Sequence, residues 1–390
     1  MKQRIQSIDI LRGIVMIIMA LDHCRDYFHQ YSFFYDPTDW HNTSPMLYFT
    51  RIVTHICAPS FVLLSGISAF LSLEHKSKKE ESFFLLSRGL WLIFLEVTVI
   101  NFGWFFNPNF SFQIFQVMWA LGFSMICLAG LIYLPQKYIF LIAIILIGGH
   151  NAFDDIHFPG ESPFALIWGF LMQYKKFTMF NTQCYIAYSA IPWVGTMALG
   201  YSLGPLFSNK FSLQKRNSAL FSLGICFLII FIILRAINGY GDPYKWAHQG
   251  SLVHTFFSFM KLSKYPPSLD FLLLTLSFAI LFLRFGDRPL NIITKRVSVL
   301  GRVPMFFYIV HIYLIHILAM IAANYTGFSW RNMVNLKSWV LLEPSLKGYG
   351  FSLLTVMIIW LSVIVVMYQL CREYDKYKRR NKGKWWLSYL

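Results

Sequence analysis

The 390-residue chain is 56% hydrophobic and 18% aromatic, and only 13% of its residues are charged, about half the charged share of an ordinary soluble domain. That balance excludes a soluble globular protein and predicts a polytopic membrane protein. The formal net charge of +16 does not point to nucleic acid either, because the soluble basic face such binding needs is missing.

Apolar runs near the roughly 20 residues that cross a hydrocarbon core recur at 8–28, 46–73, 83–106, 112–134, 137–150, 185–206, 217–236, 267–285, 299–323 and 350–370. The expectation is an all-α fold of about ten transmembrane helices. The run 137–150 is short, and FALIWGFLMQY at 164–174 also reads as a re-entrant piece, so nine to eleven spans stay open. With the N-terminus inside, the inner segments hold 20 Lys and Arg residues and the outer loops eight. This asymmetry predicts that both termini are cytoplasmic. No linker of Pro, Gly and Ser divides the chain, so residues 1–372 read as one membrane domain and 373–390 as a basic tail beside anionic lipid. No cleavable signal peptide is expected, since the first segment is itself charged and has no small-residue cleavage site. The six cysteines are scattered, without CxxC or a Cys/His spacing suited to zinc, so neither a disulfide framework nor a metal is expected.

The first span carries an unusual stripe. In RGIVMIIMALDHCRD, Arg12 and His23 are eleven residues apart, which on a helix is three turns plus about 20° and a rise of about 16 Å. Asp9 lies a turn before Arg12, and Asp26 a turn after His23. One face thus bears acid, arginine, histidine and acid in order. Asp22 and Arg25, at i and i+3, can pair as a plain helix-end ion pair. The second span repeats the device with Arg51 and His55 at i and i+4, followed by Pro59, which loosens the helix nearby, and by Ser65, Gly66 and Ser68, small enough for close helix contact. A lone buried histidine is usually a satisfied core residue, but each of these two shares its face with an arginine. Charge within a span normally faces a partner or a wet cavity.

Farther along, Arg88 and Arg235 lie near span ends and read as anchors, whereas Arg302 sits among other polar groups. Glu96, Asn101 and Gln116 are polar residues at membrane depth that either line a cavity or pack. GGHNAFDD offers His150 and Asp155 at an HxxxxD spacing, a common accident, and His150, Asn151 and Asp154 as outer contacts for a polar acceptor. Tyr308 and His311 share a face, while His316 reads as packing.

Together these residues resemble a family. Arg12, ten residues, then His23, followed by SFVLLSG at 60–66, is similar to the signature of the membrane acyltransferase-3 proteins and the related heparan-α-glucosaminide N-acetyltransferases; IDILRGIVMIIMALDH and CAPSFVLLSGISAFLS resemble bacterial members of the latter. GRVPMFFYIVH at 301–311 resembles a late family helix ending in Tyr and His. The resemblance implies a multi-pass protein of the cell's inner (plasma) membrane that moves an acetyl or other acyl group from cytoplasmic acetyl-CoA, a co-substrate, to an extracytoplasmic sugar or amino sugar of a glycan acceptor. Beyond the lipid bilayer, acyl-CoA and that acceptor, a homo-oligomer stays open. His23 matches the family's first-span histidine and Arg12 the arginine before it. The animal enzymes place a histidine in the loop before the second span, represented here by PTDWHNTSP, so His41 shares the candidacy.

Such chemistry fits the stripe. Imidazole is the usual base for taking an acceptor's proton near neutral pH; Asp22 or Asp26 can orient it, Arg51 or a serine near 65 can meet the oxyanion, and His55 stands on the same face. Arg12, with Asp9 and Arg302, would hold the CoA side, with His41, His150, Asn151, Asp154, Tyr308 and His311 toward the acceptor. A transporter or flippase is the competing reading, because buried Arg, Asp and His also mark substrate paths.

Overall fold

The computed structural model describes residues 5–30, 43–73, 76–208, 211–285, 290–381 and 383–388; His41 lies outside them. Helix α1 (Gln6–Phe28) is buried along most of its length despite Asp9, Arg12, Asp22, Arg25 and Asp26. Protein rather than lipid surrounds it, so its charges find partners.

The second apolar run is two helices, α2 (Pro45–Thr54) and α3 (Cys57–Leu73), with His55 and Ile56 in a turn between them. Pro59 explains the break, since its ring excludes the carbonyl four residues back, that of His55, from the helical ladder. Next come α4 (Lys78–Leu95), a π-turn at Glu96–Ile100, and the short α5 (Asn101–Phe105). The Glu96 carboxylate accepts the backbone N–H groups of Gln116, Met118 and Trp119 at 3.3, 3.0 and 3.1 Å. It thereby caps α6 (Val117–Leu131), whose first N–H groups have no partner inside the helix. Then follow α7 (Gln136–Gly149), α8 (Pro163–Met172), α9 (Ala190–Leu203), α10 (Leu213–Ile237), α11 (Leu252–Met260), α12 (Leu269–Phe285), α13 (Ile292–Arg302), α14 (Pro304–Tyr325) and α15 (Leu353–Arg380). Residues 373–380 continue α15 rather than leaving it.

Each of the ten expected apolar runs contains a helix. Six helical stretches among the described residues are long and apolar enough to cross a membrane: Pro45–Ser72, Lys78–Phe105, Gln136–Phe153, Leu213–Ile237, Pro304–Tyr325 and Leu353–Arg380. The other four runs fold as α1, which is too charged, and as α6, α9 and α12, which are shorter.

The all-α expectation missed a small sheet. Strands β1 (Phe112–Phe115), β2 (Lys175–Met179) and β3 (Thr182–Ile186) pair in the order β1-β3-β2, parallel between β1 and β3 and antiparallel between β2 and β3. Phe180 and Asn181, with φ of 48° and 61°, form the two-residue loop of the β2–β3 hairpin, where positive φ suits the strand twist. Asn101 completes β1 from the other side, donating to the Ile114 carbonyl at 3.0 Å and accepting its N–H at 2.7 Å.

Helices cross where glycine removes the side chain. A Cβ on Gly66 of α3 would stand 2.2 Å from the Met197 carbonyl oxygen of α9, and one on Gly200 would stand 2.1 Å from that of Leu63. The small-residue step expected around Gly66 is therefore the contact between α3 and α9.

Arg235, expected as an interfacial anchor, is 1% exposed and donates to the carbonyls of Tyr244, Ser258, Phe259 and Lys261. Asp242 accepts from the N–H groups of Tyr244 and Ser263 and from the Ser268 hydroxyl. These two side chains fold the 238–268 excursion back onto the bundle, since a buried ion is stable only when hydrogen-bonded.

Gly66→Leu is expected to separate α3 from α9 and to lower the thermal-unfolding midpoint in detergent, in keeping with the roughly 1–3 kcal/mol of a forced overpacking. Gly130→Leu, where an added Cβ meets nothing within 4 Å, should leave the midpoint unchanged.

Candidate active site

A cavity of about 380 Å³ lies against the second half of α1, within the size range of small-molecule sites. His23 lines it, held from behind by a chain of hydrogen bonds. His23 Nδ1 lies 2.8 Å from Nε2 of His311, whose Nδ1 lies 2.8 Å from the Phe307 carbonyl oxygen one turn back in α14. A carbonyl only accepts, so His311 carries its proton on Nδ1, and its bare Nε2 must accept from His23 Nδ1–H. This assignment leaves the lone pair of His23 on Nε2, in a ring that lines the cavity. The His23 and Trp104 rings lie in a T-shaped arrangement with centroids 4.7 Å apart, and Trp104 is fixed by stacking on Tyr27, whose hydroxyl donates to the Trp104 carbonyl at 2.7 Å.

Beside His23, one carboxylate gathers three cations. Asp22 accepts from Arg25, from Arg51 Nη1 at 3.0 and 3.1 Å and from the Thr54 hydroxyl at 2.9 Å, with Lys264 Nζ at 3.6 Å. Asp26 meets Arg25 at 3.4 Å. Three cations thus face two carboxylates on the cavity wall. The helix-end pair read from Asp22 and Arg25 is real but is only one arm of this cluster.

A second, smaller cavity of about 80 Å³ lies toward the start of α1 and contains Arg12, Arg88 and Ser65 among apolar side chains. Arg12 donates to the Ser68 hydroxyl at 2.7 Å and the Gly301 carbonyl at 3.3 Å, with Asp9 at 3.8 Å. Arg88, read as an anchor, lines this cavity instead.

The remaining candidates sit elsewhere. His55 is buried with its ring edge toward Phe271 at 5.3 Å, outside the lining of either cavity. Arg302 reaches Asp375 of α15 at 2.7 and 3.0 Å. His150 meets the carbonyls of Ile147 and Pro267, and Asn151 bridges Asp154 and the Leu269 N–H; they clamp the end of α7 to the start of α12. His316 lies between the carbonyls of Gly103 and Met333, packing as expected. Tyr308 lines both cavities. His311, expected at an acceptor, is fully buried behind His23. Of the three polar residues at membrane depth, Gln116 lines the larger cavity, while Glu96 and Asn101 serve the backbone. Sequence reasoning missed Lys264, Trp104, Tyr188 and Trp339, which have no periodic signal in their loops and helix ends. Among the described residues, no group of three His, Cys, Asp or Glu side chains is placed to hold a metal ion.

A family model described as heparan-α-glucosaminide N-acetyltransferase, catalytic, matches residues 4–235. The chain belongs to this family. No curated protein matches it. The heparan-α-glucosaminide N-acetyltransferase match covers His23, the Asp22 cluster apart from Lys264, and both arginines of the smaller cavity. Lys264, Tyr308 and Trp339, which line the larger cavity, and His311, which backs His23, come from beyond it.

Removing one partner of a buried ionic cluster leaves the others uncompensated, at a cost of about 3–5 kcal/mol. Arg25→Ala is therefore expected to lower the thermal midpoint sharply, and Lys264→Ala, whose ammonium stands farther from Asp22, less so. Equal losses in the two variants would contradict this ranking.

Proposed function

We propose that the protein transfers an acetyl group from acetyl-CoA to an amine or hydroxyl of a sugar, with His23 as the general base. The observation that carries this reading is a histidine in the lining of a cavity, His23, with its Nδ1 tied to the His311–Phe307 relay. A base must both face the substrate and keep one tautomer; the place of His23 in the cavity lining serves the first need and the relay the second.

The acceptor N–H or O–H attacks the thioester carbonyl. As the new C–N or C–O bond forms, its proton moves to His23 Nε2. The oxyanion of the tetrahedral intermediate lies toward Arg51 and Lys264, cations already ordered by Asp22 and therefore needing little reorganisation. Collapse breaks the C–S bond, and the proton passes from His23 to the departing sulfur, giving CoA and the acetylated sugar. Asp22 and Asp26 stabilise the transient imidazolium. Trp104 and Trp339, 4.9 Å apart, offer flat faces beside the base.

Donor and acceptor enter from opposite ends. Arg12 and Arg88 suit the phosphates of the CoA arm, and the rise of about 16 Å along α1 from Arg12 to His23 has the reach of pantetheine. The Lys and Arg distribution supports a cytoplasmic N-terminus, which puts the arginine chamber on the side where acetyl-CoA is found and the larger cavity toward the outside of a plasma membrane.

The test is release of CoA from labelled acetyl-CoA by the purified protein in detergent, with and without hexosamine acceptors. His23→Ala is expected to lower kcat by about 10²–10⁴-fold; acceptor-dependent turnover that survives this change would remove His23 from the chemistry. Arg12→Ala and Arg88→Ala should raise KM for acetyl-CoA more than they lower kcat. His311→Phe keeps a ring behind His23 but removes the acceptor, so kcat should fall while KM for acetyl-CoA holds.

A further inference from the structure

The two chambers meet at three side chains. Phe61 of α3, Val117 in the first turn of α6 and Tyr308 of α14 line both the larger cavity and the smaller one. Because they come from three helices, they form a collar between the chambers rather than a patch on one wall. Two of them are held. Tyr308 is 3% exposed and meets the His311 ring edge-on at 5.7 Å. Val117 opens the helix that Glu96 caps, and its branched β-carbon restricts χ1. Phe61 is only half-buried and stands two residues past Pro59, so its ring is the adjustable member.

Resting on the acetyl transfer proposed above, we infer that Phe61, Val117 and Tyr308 set the cross-section of the acyl group that reaches His23, making the protein selective for unbranched short-chain acyl-CoA donors. A thioester arriving from the Arg12 and Arg88 chamber passes this collar acyl group first. Acetyl and propionyl are one chain wide. An isobutyryl group carries a second methyl on the carbon next to the carbonyl and must widen the collar. The chamber before it, about 80 Å³, has a wall that apart from Arg12, Arg88 and Ser65 is mostly apolar and includes Leu92, Met118 and Leu121, and close-packed interiors yield little to an added methyl. Pockets that judge a single methylene discriminate by about 10–200-fold, which sets the expected scale.

The experiment compares kcat/KM for acetyl-, propionyl- and isobutyryl-CoA in the full-length protein, using the hexosamine that supports the highest acetyl turnover. The wild type should prefer acetyl over isobutyryl by about tenfold or more, with propionyl between them. Phe61→Ala should close that gap by about tenfold, and Phe61→Leu, a smaller truncation that serves if the alanine variant fails to fold, should close part of it. Displacement of labelled acetyl-CoA by isobutyryl-CoA reads the same ratio without chemistry. An unselective wild type, or an acetyl-to-isobutyryl ratio within twofold of wild type in the Phe61 variants, overturns the collar while leaving acetyl transfer standing. Absence of both acetyl-CoA binding and acetyl turnover in the wild type overturns the reading on which the collar rests.

Discussion

The Asp22 carboxylate is the constraint on which the rest of the site depends. It stands one residue before His23 and binds cations from three separate parts of the chain: Arg25 from its own helix, Arg51 from α2, and Lys264 from the excursion before α12. An ion at such depth is stable only when paired, so these contacts are conditions of folding as much as decorations of a cavity. Because Asp22 precedes His23 on the same helix, whatever fixes Asp22 also fixes the rotation of α1 that presents His23. The cation array and His23 are therefore set by one anchor.

The parts that close the cavity are held by polar hubs away from it. Lys264 is brought in by a segment that Arg235 and Asp242 tie to the bundle, and Val117 is set by the Glu96 cap on α6. Trp339 arrives on the 326–352 segment, whose Asn335 and Leu336 N–H groups donate to the carbonyls of Phe106 and Phe105 at 3.0 and 3.1 Å. In each case a buried polar group serves the backbone, as close packing away from water requires. Irregular backbone is thereby kept near the site without leaving N–H groups unsatisfied.

Helical periodicity was enough to put Arg12 of the smaller cavity and His23 and Asp26 of the larger one on the same stripe, because all lie on one unbroken helix. It was enough for Gly66 too, since a small residue in an apolar helix has few other uses. It failed at His55, where the register from Arg51 runs into the break imposed by Pro59, and at Arg302, whose acidic partner lies 73 residues on, in α15. Asp375 has no local signature that marks it as a partner. His150 illustrates a different loss: its bonds are to carbonyls, which every residue carries and no motif reveals. The hairpin at 175–186 was hidden because its strands are five residues each and lie between apolar helices.

His311 shows why the matched segment alone does not make the site. The family match ends at residue 235, yet the atom that selects the tautomer of His23 belongs to α14. A histidine hydrogen-bonded to a carbonyl in its own preceding turn has its proton placed by the helix, independently of what enters the cavity. That helix then imposes the proton position on His23 across the interface with α1. The histidine proposed as base thus comes from the first helix and its protonation geometry from the fourteenth, so an amino-terminal fragment retaining every charged residue of α1 would still lack the partner that defines the His23 tautomer.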